Sequence, residues 1–175
     1  MKKIVLSLAM LCLLSIGHLQ AQNRLLKQGA KQMAIAALLA KLQSNPKLSK
    51  FATLFQAAQT AGLLGNLQGP HTLLAPTNGA IDAAFSKDQW QNLLKPESKN
   101  LLGNLVKNHL ISGALGTGAL GGASTSTNLL GKALSIAKLA GGGLSIGGAK
   151  VTESELKASD GSIIHGIDKV LASDQ

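Results

Sequence analysis

The sequence predicts an α+β fold in which helices dominate the first two thirds and short strands the rest. Apolar residues recur at three- and four-residue spacing from about residue 24 to residue 110, which is typical of amphipathic helices. After Ile111, short apolar runs are separated by Gly, Ser and Thr, which is typical of strands in close succession. A length of 175 residues with 45% hydrophobic content suits one domain with a single core.

The first 21 residues are typical of an export signal. Lys2 and Lys3 precede an apolar run from Ile4 to Ile16, which is shorter than the roughly 20 residues that cross a bilayer. We expect cleavage after Ala21 and secretion across the inner membrane of a bacterium, so that the protein is periplasmic or extracellular. Cys12, the only cysteine, lies in this run, and the mature chain therefore has no disulfide.

The chain is basic, with a net charge of +9 that falls to about +7 once Lys2 and Lys3 are removed. No acidic residue occurs between Glu97 and Glu153, so one region of the surface is expected to be positive. This charge either keeps the domain soluble or favours an anionic partner. Nucleic acid is not an expected partner, because only 2% of the residues are aromatic and few rings are available to stack bases.

The first predicted helix spans residues 24–44 and ends at Asn45-Pro46, because proline disfavours helical geometry in the residue before it. The residues predicted to be buried are Leu26, Ala30, Met33, Ala37 and Ala40. We expect this helix to pack on its own domain. The alternative is that its basic residues and leucines lie on an anionic membrane surface.

A second helix is predicted from Leu48 to Ala61, with Gly62 as its stop signal and Phe51, Leu54, Phe55 and Ala58 on its buried face. A short strand follows at Thr72–Leu74 and is ended by Pro76. Thr77 or Asn78 is then expected to cap a helix that carries Ile81, Ala84 and Phe85.

Two more helices are expected before the strands. Ser86 and Gln89 have the spacing of a capping box, and Pro96 suits a first helical position. The helix after Pro96 is predicted to run to about Leu110, with Leu102, Leu105, Val106, His109 and Leu110 buried.

The predicted strands lie at Leu129–Leu130, Ala133–Leu139 and Leu144–Ile146, followed by a hairpin. Val151–Ser159 and Ser162–Leu171 form its arms around a two-residue Asp160-Gly161 turn. The last strand is apolar on both faces, which predicts a place in the middle of a sheet.

Two segments resemble the signatures of a known family. TLLAPTNGAIDAAF, from Thr72 to Phe85, and DGSIIHGIDKVL, from Asp160 to Leu171, are similar to the two signatures of fasciclin domains. Asn108-His109 falls where that family usually has Tyr-His. The resemblance extends over residues 33–172, which leaves residues 22–32 as a helical extension and residues 173–175 as a tail.

The resemblance implies a fasciclin-like wedge of two β-sheets covered by several α-helices, and a non-catalytic module that binds surface or matrix polymers or proteins. In animal members, integrin-type adhesion is attributed to the Tyr-His segment and to an Asp-Ile pair, which here read Asn108-His109 and Glu155-Leu156. The alternative function is a carrier of an apolar small molecule such as a carotenoid. The resemblance implies a set of candidate binding residues at family-motif positions, which are Thr77, Asn78, Asn108, His109, Glu155, Leu156, His165 and Asp168.

His109, His165 and Asp168 are the residues from which acid–base or metal chemistry would have to be built. A metal shell needs three or four converging ligands, and neither Cys nor a further nearby His is at hand. No Gly-x-Ser-x-Gly elbow occurs on a predicted strand-to-helix turn. We therefore expect no cofactor, and a structural role in which a buried neutral imidazole donates one hydrogen bond and accepts another, tying the helix that ends near Leu110 to the sheet.

Overall fold

Helices and strands follow one another in a computed structural model that describes residues 22–26, 28–29, 32–65, 67 and 69–171. The expected export signal, Cys12 and the tail at 173–175 lie outside the described residues. Helix α1 covers residues 32–43, and residues 22–26 and 28–29 are helical as well. The remaining helices are α2 (Ser49–Thr60), α3 (Asn78–Ala84), α4 (Lys87–Leu93), α5 (Lys99–Asn108) and α6 (Thr117–Gly122), with 3₁₀ turns at Pro46–Leu48 and Pro96–Ser98.

The strands follow one continuous hydrogen-bonded order, β2-β1-β7-β6-β5-β4-β3. Their bounds are β1 (His71–Pro76), β2 (Leu110–Ser112), β3 (Thr125–Thr127), β4 (Ala133–Lys138), β5 (Leu144–Ile146), β6 (Ala149–Lys157) and β7 (Ile163–Ile167). The two end strands meet, because Ile111 forms a bridge with Asn128 and the amide of Leu129 donates to the carbonyl of Leu110 at 2.8 Å. The sheet is therefore curved almost into a barrel, and the α+β class is confirmed.

The two signature segments lie side by side. Strand β1 pairs with β7 in parallel, with Leu73 opposite Ile164, whereas the other neighbouring strands are antiparallel. Every residue of β1 and of β7 is buried. The prediction that the last strand lies inside the sheet is confirmed, since β7 runs between β1 and β6.

Two hydrophobic clusters occupy the two faces of this sheet. Leu73 and Ile164 belong to the first cluster, beneath α1, α2 and α5, whereas Leu74 and Ile167 belong to the second. Successive residues of a strand point to opposite faces, so β1 contributes to both clusters. The second cluster contains Leu74, Ile111, Leu120, Leu134, Leu144, Ile146, Ala149, Ile167 and Leu171.

The predicted buried face of α1 is wrong. Leu26 and Met33 are 71% and 72% exposed, and Ala40 is exposed too. Ala37 is buried as expected, and Ala30 lies outside the described residues. The face in the core carries Ala34, Ile35, Ala37, Leu38 and Leu42. The three- and four-residue spacing fits the predicted face and the observed face equally well. The observed face has larger aliphatic side chains, so its burial removes more apolar area from water.

Other predicted elements differ in detail. Leu129–Leu130 is a turn rather than a strand, and Ala84 is exposed. The helix predicted to reach Leu110 ends at Asn108, because the chain enters β2 there. No described helix is long and apolar enough to cross a membrane.

The turn of the closing hairpin is longer than predicted. The amide of Gly161 donates to Ala158 O at 3.1 Å, and the amide of Ala158 donates to Ser162 O at 2.8 Å. Gly161 has φ +86°, whereas Asp160 is not among the described non-glycine residues with positive φ. This is a three-residue loop, in which a turn is followed by a left-handed glycine, rather than a two-residue turn.

Candidate functional site

The motif residues lie in three places around the parallel β1–β7 pair. Thr77 and Asn78 connect β1 to α3, and Asn108 and His109 end α5. Glu155, Leu156, His165 and Asp168 lie on or next to the β6–β7 hairpin.

Thr77 and Asn78 hold the β1–α3 junction together. Thr77 is the N-cap of α3, with its hydroxyl accepting from the amide of Ala80 at 3.3 Å, and its own amide donates to Ile167 O at 2.9 Å. The side chain of Asn78 accepts from the amide of Lys50 at 3.0 Å and donates to Pro46 O at 2.9 Å. The two residues therefore join α3 to the end of β7 and to the start of α2.

His109 is fully buried between α5, α2 and the segment after β7. Its Nδ1 donates to Leu105 O at 2.7 Å, and its Nε2 accepts from the amide of Leu171 at 3.0 Å. The ring lies 5.5 Å from that of Phe51. Burial lowers the pKa of His109 from 6.5 to about 4, against the opposing effect of the Leu105 carbonyl. The imidazole is thus neutral, with both nitrogens engaged.

Asn108 belongs to a buried amide pair with Asn128. The side chain of Asn108 donates to Leu171 O at 2.8 Å and accepts from the side-chain amide of Asn128. Asn128 Oδ1 in turn accepts from the amides of Leu130 and Lys132 at 3.0 and 2.9 Å. This pair joins the end of α5 to the β3–β4 turn and to the segment after β7.

His165 is buried in β7 and binds backbone groups on two sides. Its Nε2 donates to Leu115 O at 2.9 Å, and its Nδ1 accepts from the amide of Glu155 at 3.3 Å. Burial lowers the pKa of His165, while the Leu115 carbonyl and the charge of Glu155 act in the opposite direction. This ring too is neutral, with both nitrogens engaged.

Glu155 has an uncommon backbone conformation, with φ +57° in a part of β6 where the register against β7 is irregular. Its carboxylate accepts from the amide and the hydroxyl of Thr117 at 2.9 and 2.7 Å. These hydrogen bonds from Thr117 lower the pKa of Glu155. Glu155 therefore links β6 to the first residue of α6.

Leu156 and Asp168 complete the hairpin. Leu156 pairs with Ile164 and packs, partly buried, against the first hydrophobic cluster. The carboxylate of exposed Asp168 accepts from the amide of Lys150 at 2.7 Å. Both contacts connect β6 to β7 or to the residue that follows it.

These residues do not converge on a common reacting point. The two histidines have separate partners, and Asp168 accepts from Lys150 rather than from either ring. Within the described residues, no three His, Cys, Asp or Glu side chains are placed to hold a metal ion. Gly143 to Gly147 has the letters Gly-x-Ser-x-Gly, but Ser145 lies in β5 and pairs with both β4 and β6, not on a strand-to-helix turn.

Two surface clefts have lysines in or beside their walls, and the second borders the motif residue Glu155 through Thr117. One of about 490 Å³ runs between α2 and the α4–α5 connection, with Ala57, Leu94 and Leu102 in its wall and Lys95 and Lys99 beside them. The other, of about 420 Å³, lies between α6, the β4–β5 loop and β6, and contains Lys138. Neither was predicted, because their walls come from segments far apart in the sequence.

Comparisons with known proteins agree with this geometry. The sequence matches a family model described as the fasciclin domain over residues 46–173. A FAS1 domain pair from the insect cell adhesion molecule Fasciclin I is similar in structure, with a TM-score of 0.64 and 16% identity over 79% of this chain and 51% of that one. This chain thus spans about half the length of that structure, and the likeness shows the fold. No match was found among curated proteins.

Proposed function

This chain belongs to the fasciclin domain family, and from that premise we propose that it is a non-catalytic exported module that binds cell-surface, matrix or protein partners. The family match over residues 46–173 carries the proposal. The structurally similar domain pair comes from a cell adhesion molecule, which supports a binding role. The setting we propose is the periplasm or the exterior of a bacterium.

The contacts of the motif residues support binding rather than catalysis. Both ring nitrogens of His109 and of His165 are engaged with backbone groups, so neither ring is poised to take a proton from a substrate. Thr77 caps a helix, and the carboxylate of Glu155 is held by Thr117. These residues support the framework, and a partner would contact the surface around it.

The charge distribution supports an anionic partner. The stretch from 98 to 152 contains no acidic residue, and Lys99, Lys132, Lys138 and Lys150 are all exposed along it. A surface rich in one sign of charge attracts partners of the opposite sign, and salt weakens that attraction. We therefore propose a negatively charged polymer or protein surface as partner.

Capture of partners from the native cell envelope tests this function. The purified protein, immobilised on beads, is incubated with envelope and matrix fractions, and intact cells are tested for adhesion to the coated beads. We expect adhesion that exceeds an albumin-coated control and falls as salt rises. Adhesion equal to that of albumin, with no retained polymer or protein, would contradict the proposal.

The carrier of an apolar small molecule remains the alternative, favoured by the cleft between α2 and the α4–α5 connection. Organic extraction of protein purified from its own source distinguishes the two functions. A carrier releases a stoichiometric apolar ligand, coloured if it is a carotenoid, whereas a binding module releases none.

A further inference from the structure

Strand β6 has an edge that is only partly covered. On one side it pairs with β7 as far as Lys157. On the other side it pairs with β5 at Ala149 and Lys150, and this register places Leu144 of β5 opposite Val151. In the described part of the chain no strand lies beside it from Thr152 onwards. An uncovered strand edge presents N–H and C=O groups that can pair with an added strand.

The β4–β5 loop explains why this edge is uncovered. Gly141 and Gly142 have φ +94° and +85°, a left-handed conformation that glycine adopts without steric cost. The chain therefore turns away from β6 just before Leu144, where β5 begins. Had β5 begun earlier, the residues before Leu144 would have lain next to Thr152 and Glu153.

The cleft of about 420 Å³ occupies that position. Val151, Thr152 and Ser154 of β6 form one wall, and Thr152 and Ser154 are exposed. The opposite walls come from α6 and the β4–β5 loop, and glycines contribute much of them. The remaining lining residues are Thr117, Gly118, Gly121, Lys138, Gly142, Gly143 and Leu144.

The charge of this cleft favours an acidic occupant. Among the described residues that line it, Lys138 carries the one formal charge, and its side chain is exposed. Two acids on β6 are close to the lining residues: Glu153, between Thr152 and Ser154, pairs with Lys47, and Glu155 has its carboxylate hydrogen-bonded to Thr117. An acidic side chain close to Lys138 would therefore meet a positive charge.

We propose that this cleft binds an extended acidic segment of a partner protein, which pairs with the uncovered edge of β6 as an added strand. The proposal rests on the proposed binding function and names its partner class. Main-chain hydrogen bonds to β6 provide the attachment, and alternate side chains of the segment point towards Lys138. The glycines of α6 and of the β4–β5 loop leave room for the segment's backbone.

A pair of synthetic peptides tests strand addition. The first is a fluorescein-labelled octapeptide of alternating Thr and Glu, and the second has the same sequence with N-methyl groups on alternate amides. The two carry the same charge, but the second lacks donors along one edge. We expect fluorescence anisotropy to show binding of the first and at least about tenfold weaker binding of the second. Equal affinities would overturn strand addition and leave charge attraction alone.

Variants of α6 locate the binding site. A Cβ at Gly118 or at Gly122 meets nothing within 4 Å, so either position accepts a larger side chain. Gly118 lines the cleft and Gly122 does not. We expect Gly118→Leu to weaken peptide binding by about tenfold or more, and Gly122→Leu to leave it unchanged. Equal effects of the two variants, or no effect of Gly118→Leu, would overturn the assignment of the site.

Charge reversal separates Lys138 from the general positive charge. Lys138→Glu and Lys87→Glu change the net charge equally, but Lys87 lies on α4 and not in the cleft. We expect Lys138→Glu to weaken peptide binding by roughly five- to tenfold and Lys87→Glu by less than about twofold. Equal losses would show that peptide binding depends on the net charge of the protein, which would overturn the role of Lys138.

Cell adhesion by Gly118→Leu separates this proposal from the function on which it rests. Loss of both adhesion and peptide binding supports the cleft as the partner site. If the parent protein adheres to cells but does not bind the peptide, the cleft is overturned as the partner site and the binding function stands. Absence of adhesion by the parent protein itself overturns the proposed function.

Discussion

His109 and Leu171 join two segments that are far apart in the chain: Nε2 of the imidazole accepts the amide proton of Leu171 at 3.0 Å. The same ring donates to Leu105 O at 2.7 Å, and the carbonyl of His109 accepts from the amide of Leu74 at 2.8 Å. One residue thus connects α5, β1 and the segment after β7. His109 is therefore a point at which loss of one side chain affects several elements.

Replacing His109 with alanine should lower the free energy of unfolding by about 2–4 kcal/mol, since it leaves a cavity and removes the partners of Leu171 N–H and Leu105 O. Urea unfolding followed by circular dichroism measures the change. His109→Gln, which retains an acceptor and a donor, should lose less. An unchanged urea midpoint for His109→Ala would contradict the structural role.

Acid should destabilise the domain. The pKa of His109 is about 4 when folded and 6.5 ordinarily, so the unfolded chain binds this proton more readily. The contribution is complete above pH 6.5 and is lost as the pH falls towards 4, which amounts to about 3 kcal/mol in all. His165 acts in the same direction, because burial lowers its pKa too.

Urea midpoints measured at intervals from pH 7.5 to pH 4.5 check this dependence. His109→Gln, which does not titrate, should show a shallower decline than the parent over that range. Parallel curves for the two proteins would mean that the acid sensitivity arises elsewhere.

Replacing Asn108 with leucine should destabilise the domain by about 2–4 kcal/mol, although the two side chains are similar in size. Leu171 O and the side-chain amide of Asn128 would then lose a buried partner. Asn104→Leu, an exposed position on the same helix, is the matched control and should change the stability by less than about 0.5 kcal/mol. Similar thermal midpoints for the two variants would contradict the role of the pair.

Gly166→Ala should destabilise the domain by about 1–3 kcal/mol, because a new Cβ would lie 3.0 Å from Cβ of Glu153 on the paired strand. Gly79→Ala provides the opposite case. Its Cβ meets nothing within 4 Å and it lies in α3, so the change should stabilise by up to about 1 kcal/mol. Differential scanning calorimetry of both variants checks the opposite signs.

Local patterns were sufficient where local chemistry decides the structure. Phe51, Leu54, Phe55 and Ala58 of α2 are all buried, as their spacing predicts. Ser86 and Gln89 form the expected capping box. The two segments that resemble the family signatures contain β1 and β7, which pair with each other.

Other features depend on tertiary contacts that no local pattern reveals. Helix α6 was not predicted because three of its six residues are glycine, and burial of Leu120 in the second cluster stabilises it instead. Asn128 was overlooked since nothing near it in the sequence indicates that it pairs with Asn108. The left-handed backbone of Glu155 likewise arises from the irregular β6–β7 register.

The position of β7 has a consequence for folding during synthesis. This strand lies between β1 and β6, yet it is the last to be made, and its contacts with β1 join residues about ninety positions apart, such as Leu73 and Ile164. Long-range pairing of this kind is slow to form. A nascent chain that still lacks residues 163–167 has a gap in the middle of its sheet, so β1 and β6 can be joined only after those residues have been made.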